Sequence, residues 1–337
     1  MVSKHPRRIE FDRQLALERP AYCEECFARR ICGDAYTAQA CPEQSDGRTG
    51  RPANPNTLGR MLYLGGLDLT DIVVKYPTPK ISLPPYVTTI EPRGVGKGLS
   101  LKFAAVTLKD GYSASGSARK ATTLRRRTGV PDETTLLLLC TGTDELVASA
   151  IDRGSQALVD ATANGGFNIV SGIGTSFYRA SNPMERLLSI KEGLLSFALM
   201  QSRGIPSFPM LAFSTMADIE RLAEWLHLNP LVRLVGVDMQ DNRWSTDKRF
   251  FAEAFRELVR LSPSDLHWIV KGPSSRNWIR RLFMICPRLT VINEQPFMKA
   301  TKGGGSRPRK SRKALFNEYW HEQFSLCAGA KRAALPH

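Results

Sequence analysis

Two groups of residues have the types and spacing to do chemistry. The first is Cys23-x2-Cys26-x5-Cys32-x8-Cys41. Four thiolates this close suit tetrahedral zinc, with an iron–sulfur cluster as the alternative and a metal-free cysteine-rich loop as the plain one. A short polar segment has no core of its own, so a metal would serve to fold it. The second group is dispersed. Asp238 follows the apolar run Leu234-Val-Gly-Val237, Lys271 follows Trp268-Ile-Val270, and Asn293 and Glu294 follow Val291-Ile292. A charge at the end of a buried strand is costly unless it is paired or used. Asp238 and Glu294 therefore read as general acid–base or nucleophilic groups, and Lys271 as the group that stabilises developing negative charge. The plain reading is a Lys271–Asp238 pair that only holds strand ends together.

These positions make sense if the apolar runs are parallel strands. Runs over 101–108, 134–140, 167–170, 208–213, 231–239, 266–271 and 289–293 alternate with amphipathic stretches over 144–153, 183–203, 215–228, 246–261 and 277–285. That alternation predicts an α/β fold with a parallel sheet and helices outside. Seven strands, with an eighth expected within 61–90, favour a TIM-like (β/α) barrel over an open doubly wound sheet. Both place function at the C-terminal ends of strands. That rule adds Thr141, Thr143 and Asp144, Asn168 and Ser171, and Gln240 with Asp241. Asp144, Asn168, Gln240 and Asn293 are the candidate substrate contacts. Asp144, Thr143 and Thr215 suit helix N-caps equally well. The Gly172-Ile173-Gly174 turn fits either a phosphate cradle or a plain tight turn.

The chain divides by composition. Residues 1–60 form the cysteine-rich segment, 61–98 a proline-rich extended connector, 99–300 the barrel-like domain, and 301–337 a basic tail with a terminal helix. Cys140 and Cys286 sit in apolar runs and read as core.

Lys and Arg number 47 against 32 Asp and Glu, a net charge of +15. The isoelectric point near 9.7 favours a polyanionic partner. The charge is clumped. Arg119, Lys120, Arg125, Arg126 and Arg127 form one acid-free cluster. Lys299, Lys302, Arg307, Arg309, Lys310, Arg312 and Lys313 form another. Nucleic acid, DNA or RNA, is the expected partner, with Arg125, Arg126, Arg127, Arg307, Arg309, Lys310, Arg312 and Lys313 as phosphate contacts. Neither clump carries the large apolar face a membrane helix needs. No apolar run is long enough to span a bilayer, and no apolar stretch follows the basic N-terminus, so a cytoplasmic location is expected. Five histidines, none at a strand end, argue against a histidine-rich metal barrel. A Gly-x-Ser-x-Gly elbow is missing, and Gly94-Val-Gly-Lys-Gly98 lacks P-loop spacing.

Residues 125–298 resemble a family of uncharacterised bacterial and phage proteins with a barrel-like α/β core. The resemblance rests on Leu124 to Pro131, Gly166-Phe167-Asn168, Gly204-Ile205-Pro206, Val235 to Gln240 and Lys271-Gly272-Pro273. It implies no established reaction. Asn164-Gly165-Gly166-Phe167 and Leu266 to Lys271 are also similar to stretches of the tRNA- and DNA-guanine transglycosylase superfamily, barrel transferases that exchange a base beside a zinc site. Asn164 stands where that pattern has Asp, Asn293-Glu294 where it has a nucleophilic Asp, and the cysteine spacing differs. The leading expectation is a nucleic-acid-acting, base-modifying enzyme. The alternatives are a non-catalytic nucleic-acid-binding accessory protein of a phage or mobile element and a metabolic barrel enzyme acting on a phosphorylated small molecule.

Overall fold

A computed structural model describes residues 63–91, 98–112, 119–142, 159–160, 162–174, 183–239, 245–302 and 311–335. The four-cysteine segment and Asp144, Gln240, Arg307, Arg309 and Lys310 lie outside these residues. The strands are β1 (Tyr86–Thr89), β2 (Phe103–Thr107), β3 (Thr135–Leu139), β4 (Ile169–Ser171), β5 (Ser207–Phe208), β6 (Met210–Leu211), β7 (Leu234–Asp238), β8 (His267–Lys271) and β9 (Leu289–Asn293). The described helices are α1 (Leu108–Gly111), α2 (Ala121–Thr128), α3 (Pro183–Ser202), α4 (Met216–Leu228), α5 (Ser245–Leu261), α6 (Arg276–Ile285), α7 (Gln295–Lys302) and α8 (Arg312–Ala334). None of them is long and apolar enough to cross a membrane.

The sheet order is β5-β4-β3-β2-β1-β9-β8-β7-β6, and every described pairing is parallel. Its two ends are the two halves of one extended segment. Pro209 has no amide proton, so it splits that segment into β5, which pairs with β4, and β6, which pairs with β7. The Pro209 carbonyl still accepts from Gly236 N at 2.9 Å. The sheet is therefore a barrel of eight parallel segments, and the open-sheet alternative falls away. The eighth strand is β1, within the stretch where the sequence left room for one.

Strand alternation sorts the side chains. Val87, Ala105, Leu137, Ile169, Ile269 and Ile292 fill the barrel interior, while Val106, Leu138, Val170, Val237, Trp268 and Val291 pack outward against helices. Gly236 is an interior position filled from elsewhere: a Cβ there would lie 2.4 Å from Met210 Sδ and 2.8 Å from Phe208 Cε2.

The chain before β1 is a strap without helix or strand between residues 72 and 85. The Ile72 carbonyl accepts from Trp225 Nε1 at 2.9 Å, and Val74 N donates to Asn229 Oδ1 at 2.7 Å. Thr78 Oγ1 accepts from Arg233 N and Leu234 N. Prolines keep this segment out of helices, so its polar groups are satisfied by α4 and the turn after it.

No helix is described between β1 and β2. α8 lies there instead, with Phe316 among Leu99, Leu101 and Ala104, and Cys327 and Ala330 in the core shared with α6 and β9. The C-terminal helix is thus a wall of the barrel.

Candidate functional site

Asp238 and Lys271 end β7 and β8 and face each other in register. Both have the inward parity of Leu234 and Ile269. Lys271 Nζ donates to Asp238 Oδ2 at 2.6 Å, with side-chain exposures of 9% and 22%. The pair is thus an ion pair partly withdrawn from water at the strand-end mouth. Its low exposure strengthens the attraction and makes either partner expensive alone.

Glu294 sits between β9 and α7, half-buried, and its carbonyl accepts from Met298 N at 2.9 Å. It therefore occupies the start of a helix, where the backbone dipole favours a carboxylate. β8 and β9 are neighbours, so Lys271 and Glu294 belong to the same arc of the rim.

Continuing around that arc, β1 and β2 supply two carboxylates that sequence reasoning missed. Asp110 lies within the short helix after β2, is 9% exposed, and has its carboxyl pushed up by burial and by the charge of Glu91, which follows β1. Arg119 Nη1 donates to the Asp110 carbonyl at 2.9 Å and holds the turn. The strand-end rule would have selected both had it been carried back through 101–108 and had the β1 boundary been known. The arc from β7 to β2 thus presents Asp238, Lys271, Glu294, Glu91 and Asp110.

Two expected substrate contacts are used elsewhere, and parity and position explain why. Asn293 has outward parity, next to inward Ile292. Its Oδ1 accepts from Tyr86 Oη at 2.9 Å and from Gln295 N at 3.1 Å, and its Nδ2 donates to the Pro273 carbonyl at 2.8 Å. All of its strong positions are taken in the helix layer. Asn168 precedes β4, at the end of the barrel opposite the mouth, because the strand begins two residues later than the apolar run suggested. Its Oδ1 accepts from Arg125 Nη2 at 2.7 Å and Leu136 N at 2.8 Å.

Arg125 is likewise structural. It is buried and also donates to the Thr134 carbonyl through Nε at 3.2 Å and Nη2 at 3.1 Å. It ties α2 to the starts of β3 and β4, which removes it from the phosphate contacts. Arg126, Arg127, Arg312 and Lys313 are exposed.

The Gly172-Ile173-Gly174 turn is not a phosphate cradle. Its three amides donate to the Phe208 carbonyl, Ser196 Oγ and the Cys140 carbonyl. Glycine is needed there for close packing: a Cβ on Gly172 would lie 3.1 Å from the Gly193 carbonyl, and one on Gly174 2.6 Å from Thr141 Cγ2. Thr215 is a cap, accepting from Asp218 N at 3.2 Å while Thr215 N donates to Asp218 Oδ2. Cys140, Cys286 and Cys327 are buried free thiols, as a core role requires for the first two. Among the described residues, no three His, Cys, Asp or Glu come together as a metal site.

No family model and no curated protein matches the sequence. Solved structures of similar outline include one described as native KDPGal, at 12% identity and a TM-score of 0.39, covering 76% of this chain and 98% of that one. Another is a cube-shaped, highly porous protein cage designed by fusing symmetric oligomeric domains, at 12% identity and a TM-score of 0.40, covering 75% and 74%.

Proposed function

We propose that this protein is an enzyme whose reaction is a proton transfer at the barrel mouth. The observation that carries this is the Lys271–Asp238 ion pair, at 2.6 Å on adjacent strand ends and largely withdrawn from water. Lys271 would donate to a substrate oxygen as negative charge develops on it. Asp238 holds the ammonium in place, and Glu294 or Asp110, on the same arc, would move the proton. The substrate class that fits is a small polar molecule with a carbonyl or hydroxyl oxygen. The occupied amides of the 172–174 turn give a phosphate no purchase at that turn, so the small-molecule reading is kept with the oxygen at Lys271 as its anchored group. Base exchange on nucleic acid draws less support, because Asn293 is committed to the helix layer.

The test is untargeted metabolite profiling. A small-molecule extract is incubated with the wild-type protein, Asp238→Asn and Lys271→Met, each shown to be folded. Consumption of one compound by the wild type, reduced at least about a hundredfold in both variants, supports the assignment. Equal consumption in all three removes it.

A further inference from the structure

The two basic clumps, nearly two hundred residues apart in sequence, meet in the fold. Gly98 N and Leu99 N donate to the Gly129 carbonyl at 3.0 and 3.1 Å, joining the segment that enters β2 to the end of α2. Lys313, in the first turn of α8, places its Nζ 2.9 Å from where a Cβ on Gly98 would stand. A side chain at Gly98 would obstruct that lysine. Lys102 lies in the same entering segment, its carbonyl accepting from Thr135 N at 2.9 Å. Arg126 and Arg127 occupy the last turn of α2 beside Gly129. Arg125 fixes this geometry by its bonds to the Thr134 carbonyl and Asn168, leaving its two neighbours on the surface.

Lys102, Arg126, Arg127 and Lys313 are exposed, and none has a carboxylate partner among the described residues. Asp132 and Glu133, in the turn before β3, and Glu318, in the second turn of α8, are acids of the same segments, fewer than the basic groups there. All of these groups stand at strand starts, the end of the barrel opposite Asp238 and Lys271.

We infer that this strand-start face, centred on Gly98 and Gly129, is a docking surface for nucleic-acid phosphates, separate from the reaction site at the mouth. The chemistry favours nucleic acid over an anionic bilayer. The exposed large hydrophobic residues, such as Tyr63, Val73, Tyr76 and Met284, are neither on α2 nor in the first turns of α8, so nothing on this face would enter lipid. Paired guanidinium groups with two lysines match repeated phosphate oxygens, and the net charge of +15 supplies the long-range attraction. The inference does not depend on the mouth being catalytic.

The experiment is fluorescence anisotropy with labelled duplex DNA, single-stranded DNA and tRNA across a salt series, using the full chain. It compares wild type, Arg126→Glu/Arg127→Glu, Lys102→Glu/Lys313→Glu and Asp238→Asn, with flotation on phosphatidylserine vesicles as a separate arm. The expected result is salt-dependent binding of at least one polymer by the wild type and Asp238→Asn alike. Each charge-reversal pair should weaken it by about tenfold or more and flatten the log–log salt slope by about two. Melting temperatures within a few degrees of wild type would exclude misfolding; if a reversal pair melts lower, Arg126→Gln/Arg127→Gln replaces it with the same expectation. Unchanged affinity and slope in the folded charge variants overturn the inference. So does binding to vesicles without binding to any nucleic acid. Loss of turnover in Asp238→Asn with binding intact separates this surface from the mouth.

Discussion

At the scale of single residues, the decisive contrast is between charges that are held and charges that are offered. Lys271 and Asp238 hold one another, so removing either leaves a charge at a partly dry strand end. Lys271→Met should destabilise the fold by about 1–3 kcal/mol, and Asp238→Asn/Lys271→Met should recover part of that loss. Chemical denaturation of the two single variants and the double variant would measure it, and additive effects would deny the coupling. Asp110 behaves in the opposite way. Burial and Glu91 raise its carboxyl, so the folded state favours the neutral acid. Its ionisation therefore costs stability once pH exceeds the raised value, and that cost is absent below the ordinary carboxylate range. Asp110→Asn should raise the melting temperature at pH 7, with the gain shrinking as pH falls toward 4. A gain that is constant with pH would place its origin outside titration. A buried acid kept at a cost beside another acid is what a working carboxylate looks like.

Secondary elements explain what the sequence disclosed and what it withheld. β9 and α3 were legible almost to the residue, because Leu289-Thr-Val-Ile292 is a short β-branched, largely apolar run after Pro287, and α3 begins at Pro183 and stops before Gly204. Thr215 marked the start of α4 as an N-cap type, and the structure completes the cap with Asp218 at the third helical position. β4 was misplaced toward Phe167 because hydrophobicity does not distinguish an aromatic residue leading into a strand from one inside it. That small slip moved Asn168 from the mouth to the opposite end. Parity decided Asn293: one position along β9 separates a mouth residue from one bonded to Tyr86, and no composition argument fixes where inward alternation starts. For α2, Arg125, Arg126 and Arg127 look alike in sequence and differ only in which face of the helix reaches β3. Arg125→Ala should cost about 2–4 kcal/mol by removing charged hydrogen bonds to the Thr134 carbonyl and Asn168. Arg126→Ala should change stability by less than about 0.5 kcal/mol. Urea midpoints compared across the two variants would expose a reversed order at once.

For the whole molecule, the barrel separates two chemistries along its axis, and pH should pull on its two ends differently. The strand-start end contains His267, whose Nε2 lies 2.9 Å from Thr290 Oγ1. Thr290 Oγ1 spends its own proton on the Pro84 carbonyl at 2.7 Å, so it accepts from His267, and the neutral imidazole carries its proton on Nε2. Burial first, then the positive charges of Lys331 and Arg288, lower this histidine to about 4. Its ordinary value is 6.5. The unfolded chain therefore takes up a proton between pH 6.5 and 4 that the folded chain refuses. Stability is complete above 6.5 and is lost as pH falls through that window, by up to about 3 kcal/mol from this residue. Asp110, at the mouth, acts with the opposite sign: its penalty shrinks as pH falls toward the ordinary carboxylate range. The barrel should thus weaken from its strand-start end on acidification while the mouth is relieved. His267→Gln retains an amide donor toward Thr290 but cannot titrate. Its unfolding free energy should lack the decline between pH 6.5 and 4 that the wild type shows, while agreeing with it in shape above pH 7. Parallel pH curves for the two proteins would mean that His267 is protonated as readily in the fold as in water. The buried contact with Thr290, and the strand-start packing built around it, would then not be what governs acid stability.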